Sequence, residues 1–355
     1  MMLISLVLET TSLITIVINK YKTMKTIIKY NLLISLIITI LSCNNEDDVA
    51  KRHNVYVVGY GFNLNGSEKV AKLWTNDSVT DLTDGSNNAT ANDVYVINND
   101  VFVVGYESGT NKNIAKLWKN GIEKRLSNGL NDAFAQSIIV INESIYVVGY
   151  EKKNGKNVAK LWTNGVDKDL TNGTNDAGAY AIALNNNDVY IGGYEKLDNL
   201  PVATIWKNGV PTRLTNGTNS SWVNSIFIDN GDIYAVGSYG NTAMLWKNGI
   251  ATELSDGTYY VRANSVAVEA GNIYIIGVQS PINFGDKIIT KLRKNGDEIN
   301  LTSAAIDFIA KDVAVINNSV FVAGSTNDYD NASYWNNGAI INLVGGNTAT
   351  AIFIN

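Results

Sequence analysis

The chain has 355 residues, 45% hydrophobic and 17% charged, with 28 basic against 33 acidic side chains, one histidine and one cysteine. Charge below the usual share of about 25%, with Asn and Gly gathered at turns, excludes a disordered polyelectrolyte and points to a turn-rich β protein. The acidic balance argues against a nucleic-acid partner, since phosphate binding wants a basic surface. One His and one Cys are too few for a zinc or copper site of the His/Cys kind, or for a Ser-His-Asp or Cys-His nucleophile system.

The first 42 residues differ from the rest. Residues 1–23 hold an apolar run ending at Lys20. Met24 to Lys29 then makes a basic start, and Leu32 to Leu41 is an apolar run too short to span a bilayer comfortably. Because residues 24–42 form a complete secretory signal, the start is read at Met24 and residues 1–23 as a mis-assigned start; a genuine extra apolar segment is the alternative. Ile40-Leu41-Ser42-Cys43 resembles the bacterial lipobox, with Leu41 bulkier than that family usually has. The resemblance implies cleavage before Cys43 and its lipidation, hence a membrane contact through the N-terminus. Residues 43–53 read as a tether. Their acidic stretch, Asn44 to Asp48, resembles the export tag of Bacteroidota surface lipoproteins, which implies the outer leaflet of the outer membrane; a merely solubilising tether reads equally well. Cleavage would remove four lysines and one glutamate, leaving 24 basic and 32 acidic residues and a net charge of −8.

From residue 54 to 355 one unit recurs, seen most plainly at Ile145 to Thr171. Ile145 to Tyr150 is β-branched and aromatic, a strand buried on both faces. Val158 to Trp162 is a second apolar run, closed by the hairpin signal Asn164-Gly165. Val166, Lys168 and Leu170 alternate with polar neighbours, as in a half-exposed outer strand. An apolar first strand precedes, so each unit holds four short antiparallel strands. The second strand starts at Val55, Val101, Ile145, Val189, Ile233, Ile273 and Val320, at steps of 46, 44, 44, 44, 40 and 47 residues by subtraction. Seven such copies predict an all-β, seven-bladed propeller. The first copy lacks its first strand and the chain ends on an unpartnered run, Ala349 to Ile354, which is expected to complete blade 1 and shut the ring. A monomer is expected.

Repeated residues are read as structural, and residues that break the repeat as functional candidates. The second-strand glycines (Gly59, Gly105, Gly149, Gly193, Gly237, Gly277, Gly324) should permit close approach of another backbone or ring. The third-strand tryptophans should pack blade on blade. The glycines do not precede helices, so no phosphate-cradling loop is read, and no cofactor is expected. The connections from second to third strand, and the links between copies, vary in length and lie on one face, where binding is expected. Two columns of the first strands should ring the channel mouth on that face. One is Thr90, Phe134, Gly178, Trp222, Arg262, Ile309 and Thr348; the other is Asn92, Gln136, Tyr180, Asn224, Asn264, Lys311 and Thr350. The ligand-binding candidates are Phe134, Gln136, Tyr180, Trp222, Asn224, Tyr259, Tyr260, Arg262, Asn264 and Lys311, since aromatic faces with amide donors suit sugars or peptides. Asp132 and Asp176 recur in adjacent copies; they read as turn residues bonded to their own backbone, or as carboxylates for glycoside hydrolysis or Ca²⁺.

The strand Ile145-Tyr146-Val147-Val148-Gly149-Tyr150 resembles the IYVIGG strand of Kelch-like and galactose-oxidase-like propellers. The likeness covers 54–355 in architecture. The glycine doublet survives only at Gly192-Gly193, and the ligands of a copper oxidase are missing, so that activity is not implied. The YVVGY and AKLWKNG runs are more similar to those of Bacteroidota repeat lipoproteins, for which the resemblance implies no activity. The expectation is a cell-surface binding module for a glycan or protein; the alternatives are a carbohydrate-active enzyme using loop carboxylates and a purely structural surface protein.

Overall fold

A computed structural model of the chain describes residues 19–22, 24, 53–76, 78–280, 288–299, 301, 308–326 and 331–355. The signal segment (Met24 apart), Cys43 and the tether up to residue 52 lie outside the described residues. Contacts divide the chain into Met1–His53 and Asn54–Asn355, and every strand among the described residues lies in the second unit. No helix among the described residues is long and apolar enough to cross a membrane.

The second unit is a propeller of seven four-stranded antiparallel sheets. Blades 2 to 7 each run in chain order, from innermost strands Ala89–Ile97, Ala133–Ile141, Ala177–Asn185, Ser221–Asp229, Tyr260–Glu269 and Phe308–Ile316 outward. Blade 1 takes its innermost strand from the end of the chain: Thr348–Ile354 pairs antiparallel with Val55–Phe62, with Val55 opposite Ile354 and Tyr60 opposite Thr348. Each innermost strand touches the next, Thr348–Ile354 touching both Phe308–Ile316 and Ala89–Ile97, so the ring is closed as the offset of the repeat predicts.

The hairpins explain why asparagine recurs. Between third and outer strands, Asn164 and Gly165 both have positive φ, 55° and 88°, the mirror-image turn that matches strand twist and favours Asn-Gly. The same Asn side chain does a second job. Asn164 Oδ1 accepts from the Ile145 N–H at 2.9 Å, and Asn120 and Asn208 do the same for Val101 and Val189 at 2.8 and 2.9 Å. One side chain thus ties two hairpins of a blade.

Blades hold one another through apolar faces. Trp118 is buried among Tyr56, Val58, Ala71 and Leu73 of the preceding blade, and Trp162, Trp206, Trp246 and Trp335 repeat the arrangement. Trp74 closes the cycle against Phe321, Ala323 and Leu343 of blade 7 and donates to the Val344 carbonyl at 3.0 Å. The tryptophans are inter-blade packing, as read from the repeat; truncating one to Ala should cost about 3–5 kcal/mol. The outer strands differ from expectation. Val166–Asp169 is exposed at all four positions, as are Ile122–Arg125, Val210–Arg213 and Ile250–Glu253. The alternation is present in sequence, but at the rim blades diverge and no neighbour covers either face.

Candidate functional site

The site follows from a backbone irregularity that the repeat builds seven times. Each innermost strand slips register by one residue against its neighbour: between Ala91 and Asp93, Ala135 and Ser137, Ala179 and Ala181, Val223 and Ser225, Ala263 and Ser265, Ala310 and Asp312, and opposite Val58/Gly59 in blade 1. The extra residue is Asn92, Gln136, Tyr180, Asn224, Asn264, Lys311 or Thr350, the second polar column. A bulge re-aims its extra side chain; here all seven line a channel cavity of about 260 Å³. The second-strand glycine makes the bulge possible. A Cβ on Gly149 would lie 1.9 Å from the Phe134 carbonyl oxygen, and one on Gly237 1.9 Å from that of Trp222. The close approach expected of these glycines is an approach of backbone.

Four of the bulge residues use their donors on the ring itself. Asn92 Nδ2 donates to Ala135 O at 2.8 Å, Asn224 Nδ2 to Ala263 O at 2.9 Å, and Asn264 Nδ2 to Ala310 O at 2.8 Å. Thr350 Oγ1 lies 2.7 Å from Ala91 O and 2.9 Å from Val58 O. Each latches its blade to the next. Gln136, Tyr180 and Lys311 line the same channel.

The residues just after the bulge include two half-buried carboxylates, Asp93 and Asp312, outside the two columns singled out in the sequence. Asp93 Oδ2 accepts from Ser137 Oγ at 2.8 Å and Ile138 N at 2.9 Å, tying blade 2 to blade 3. Asp312 accepts from Ser265 Oγ at 2.6 Å and, on its other oxygen, from Ile352 N at 2.9 Å, so it grips the closing strand. Burial first, then the charge of Asp312, pushes Asp93 up to about 7 despite those bonds; burial raises Asp312 as well. A signal existed: elsewhere this column is Ser or Ala (Ser137, Ala181, Ser225, Ser265, Ala351), so Asp93 and Asp312 break the repeat.

At the mouth, the first column meets the residue after each glycine as its cross-strand partner: Phe134 opposite Tyr150, Gly178 opposite Tyr194, Trp222 opposite Ser238, Arg262 opposite Val278. Around blades 2 to 4 these pairs fill space. Phe134 lies between Tyr106 and Tyr150, with centroids 4.8 and 5.0 Å away. Tyr180 lies 5.8 Å from Tyr194, in room that a side chain at Gly178 would take. Burial, reinforced by neighbouring phenols, pushes Tyr150 up to about 12 and Tyr180 higher still, so these hydroxyls stay neutral. Around blades 5 and 6 the space is left open. Tyr180, Trp222, Asn224, Ser238, Tyr260 and Arg262 enclose a cavity of about 340 Å³. The Arg262 guanidinium lies over Tyr260, 5.3 Å from the ring centroid. Ser238 is 0% exposed and its hydroxyl has no hydrogen-bond partner among the described residues.

Of the sequence candidates, then, Tyr180, Trp222, Asn224, Tyr260 and Arg262 meet at one cavity. Gln136, Asn264 and Lys311 line the adjoining channel, which shares Tyr180 and Asn224 with it. Phe134 is part of the aromatic wall. Tyr259 is drawn away: it lines a separate pocket with Gln279 and Arg293, because successive residues of an extended chain face opposite sides. Asp132 and Asp176 hold loops. Asp132 Oδ1 accepts from Asn113 N at 3.0 Å and Asp176 Oδ1 from Asn157 N at 2.9 Å, each also meeting a lysine, Lys112 or Lys196, at 3.2 Å. The Asn113 N–H and Lys112 hold Asp132 below its ordinary range; for Asp176, burial pulls upward but the Asn157 N–H and Lys196 outweigh it. Among the described residues no three His, Cys, Asp or Glu side chains converge as a metal ion requires.

No family model matches the chain, and no curated protein matches it. Among solved structures it is similar to TolB from Acinetobacter baumannii, at 11% identity and a TM-score of 0.42, over 63% of this chain and 61% of that one. It is also similar to an acylaminoacyl peptidase from Pyrococcus horikoshii, at 10% identity and a TM-score of 0.49, over 83% of this chain and 51% of that one. The chain thus spans under two thirds of the length of either, and likeness this distant carries no functional argument.

Proposed function

We propose that the chain is a binding module whose ligand is a glycan, seated at the channel mouth on the variable-loop face. The observation that carries this reading is the cavity at blades 4 to 6, where three aromatic side chains (Tyr180, Trp222 and Tyr260), a guanidinium and a buried hydroxyl with no partner among the described residues converge. Sugars offer apolar ring faces that stack on indole or phenol, and hydroxyls that fill such polar positions. A lipidated Cys43 would hold the module at the cell envelope, in keeping with the lipobox-like run and the likeness to Bacteroidota lipoproteins; the Kelch-like likeness belongs to the same reading. The enzyme alternative is weaker, because Asp132 and Asp176 already accept backbone N–H groups and lysines.

A glycan array combined with a hydrolytic turnover screen tests this. Binding without turnover, lost in Trp222→Ala while near-UV circular dichroism is kept, is the expected result. Turnover abolished by Asp132→Asn or Asp176→Asn would replace the proposal with the enzyme reading. Binding of a protein ligand alone, or of nothing, would leave a protein-interaction or structural role.

A further inference from the structure

The chain is acidic, with a net charge of −5, yet two cations face its channel mouth. Arg262 supplies the first-column residue of blade 6 and Lys311 the bulge residue of blade 7. In the blades, lysines commonly carry a carboxylate: Lys116 meets Glu107 at 2.7 Å, Lys207 meets Asp188 at 2.7 Å, Lys247 meets Asp232 at 2.8 Å. Among the described residues Arg262 has no carboxylate partner; it is exposed and rests on Tyr260. A guanidinium over a ring face, with no carboxylate on it, keeps N–H groups for a planar, two-oxygen anion. Beside it stand Trp222 and Ser238, which line the same cavity. Other buried groups without a partner, such as the indole N–H of Trp118 and Trp206, sit in packed blade interiors, whereas Ser238 lines a cavity.

Resting on the glycan-binding reading above, we infer that this mouth takes an acidic carbohydrate: a uronate-type sugar with its carboxylate on Arg262, its ring against Trp222 and a hydroxyl toward Ser238. Lys311 adds a second positive charge on the channel side. Burial, and next the charge of Arg262, hold its ammonium below the ordinary range, and an anion between them would relieve the repulsion. The acidic remainder of the surface would repel such a ligand elsewhere, which confines attachment to this spot.

The test uses the full chain in detergent, titrated with oligogalacturonate and with the same oligosaccharide methyl-esterified, which removes the charge and keeps the sugar. The expected result is binding of the acid about tenfold tighter than the ester, weakening as salt rises. Arg262→Gln, an exposed position, should erase that preference, and Trp222→Ala should weaken both probes. Equal binding of acid and ester, unchanged in Arg262→Gln, overturns the acidic-sugar inference and leaves the glycan reading standing. Binding of neither probe overturns the inference; if neutral and acidic glycans of other kinds also fail to bind on an array, the glycan reading falls with it.

Discussion

Two arcs of the channel mouth are built on the same backbone and end differently. In both, a glycine lets a bulge form and a cross-strand pair of side chains rises above it. In blade 3 the pair is bulky, Phe134 stacked on Tyr150, and the Phe134 ring also meets Tyr106 of blade 2 edge-on. Around blades 5 and 6 the second-strand partner shrinks to Ser238 and Val278, and Trp222 and Arg262 border empty volume. The bulge is therefore scaffold, common to both arcs, and the side chains above it decide which arc is wall and which is cavity.

The severest way to break the comparison is to attack what the arcs share. Gly149→Ala and Gly237→Ala each set a Cβ 1.9 Å from a backbone oxygen, so each should lose about 3 kcal/mol or more of stability. Denaturant titration should show the two losses alike; a tolerated Gly237→Ala would mean that the open arc lacks the constraint. Next comes a contrast between arcs. Phe134→Ala removes a ring packed on two others and should cost about 2–4 kcal/mol, with glycan binding kept. Trp222→Ala should cost roughly 1 kcal/mol and weaken glycan binding. Similar stability losses in both variants would dissolve the distinction.

A smaller effect should appear with pH. Asp93, between blades 2 and 3, is raised from an ordinary 3.8 to about 7. Below the lower value both folded and unfolded chains hold the proton. Between the two values only the folded chain does, so stability should fall as pH rises through that window and level off above it. The fall should be roughly 1–3 kcal/mol between pH 5 and pH 8. Asp93→Ser, which restores the residue type of Ser137, Ser225 and Ser265, should reduce the slope, leaving the same-signed share of Asp312, which burial also raises; an undiminished slope in that variant would assign the effect to other groups. Smallest is Ser238→Ala. Its hydroxyl bonds nothing among the described residues, so stability should change by less than about 0.5 kcal/mol, while glycan affinity falls.

Much of this molecule was legible as sequence because its physics is local and repeated. Asn164-Gly165 states its own turn, and the apolar runs state their strands. The displaced final strand is visible because Ala349 to Ile354 matches the first strands elsewhere and follows a complete set of seven. The columns at the mouth were readable for the same reason, since alignment of copies is alignment in space around a ring. What was not readable depends on facing and on burial. Tyr259 and Tyr260 look equivalent in sequence, yet only Tyr260 shares its side with Arg262 two residues on. Asn224 and Asn264 look like ligand donors, yet their amides latch the next blade. Asp93 and Asp312 drew no notice beside their more varied neighbours.

The closing strand also dictates an order of events. The bond from Thr350 to the Val58 carbonyl spans 292 residues, so blade 1 waits for the other six blades to be made before its innermost edge is covered. Until then Val55–Phe62 offers a bare row of amides and carbonyls to any strand that comes by. Contacts this remote in sequence are slow to form, because a large loop must close first. Assembly of the ring is accordingly a late step, reached only once Thr348–Ile354 has been made, and a growing chain held away from other strands until then would reach it with fewest errors.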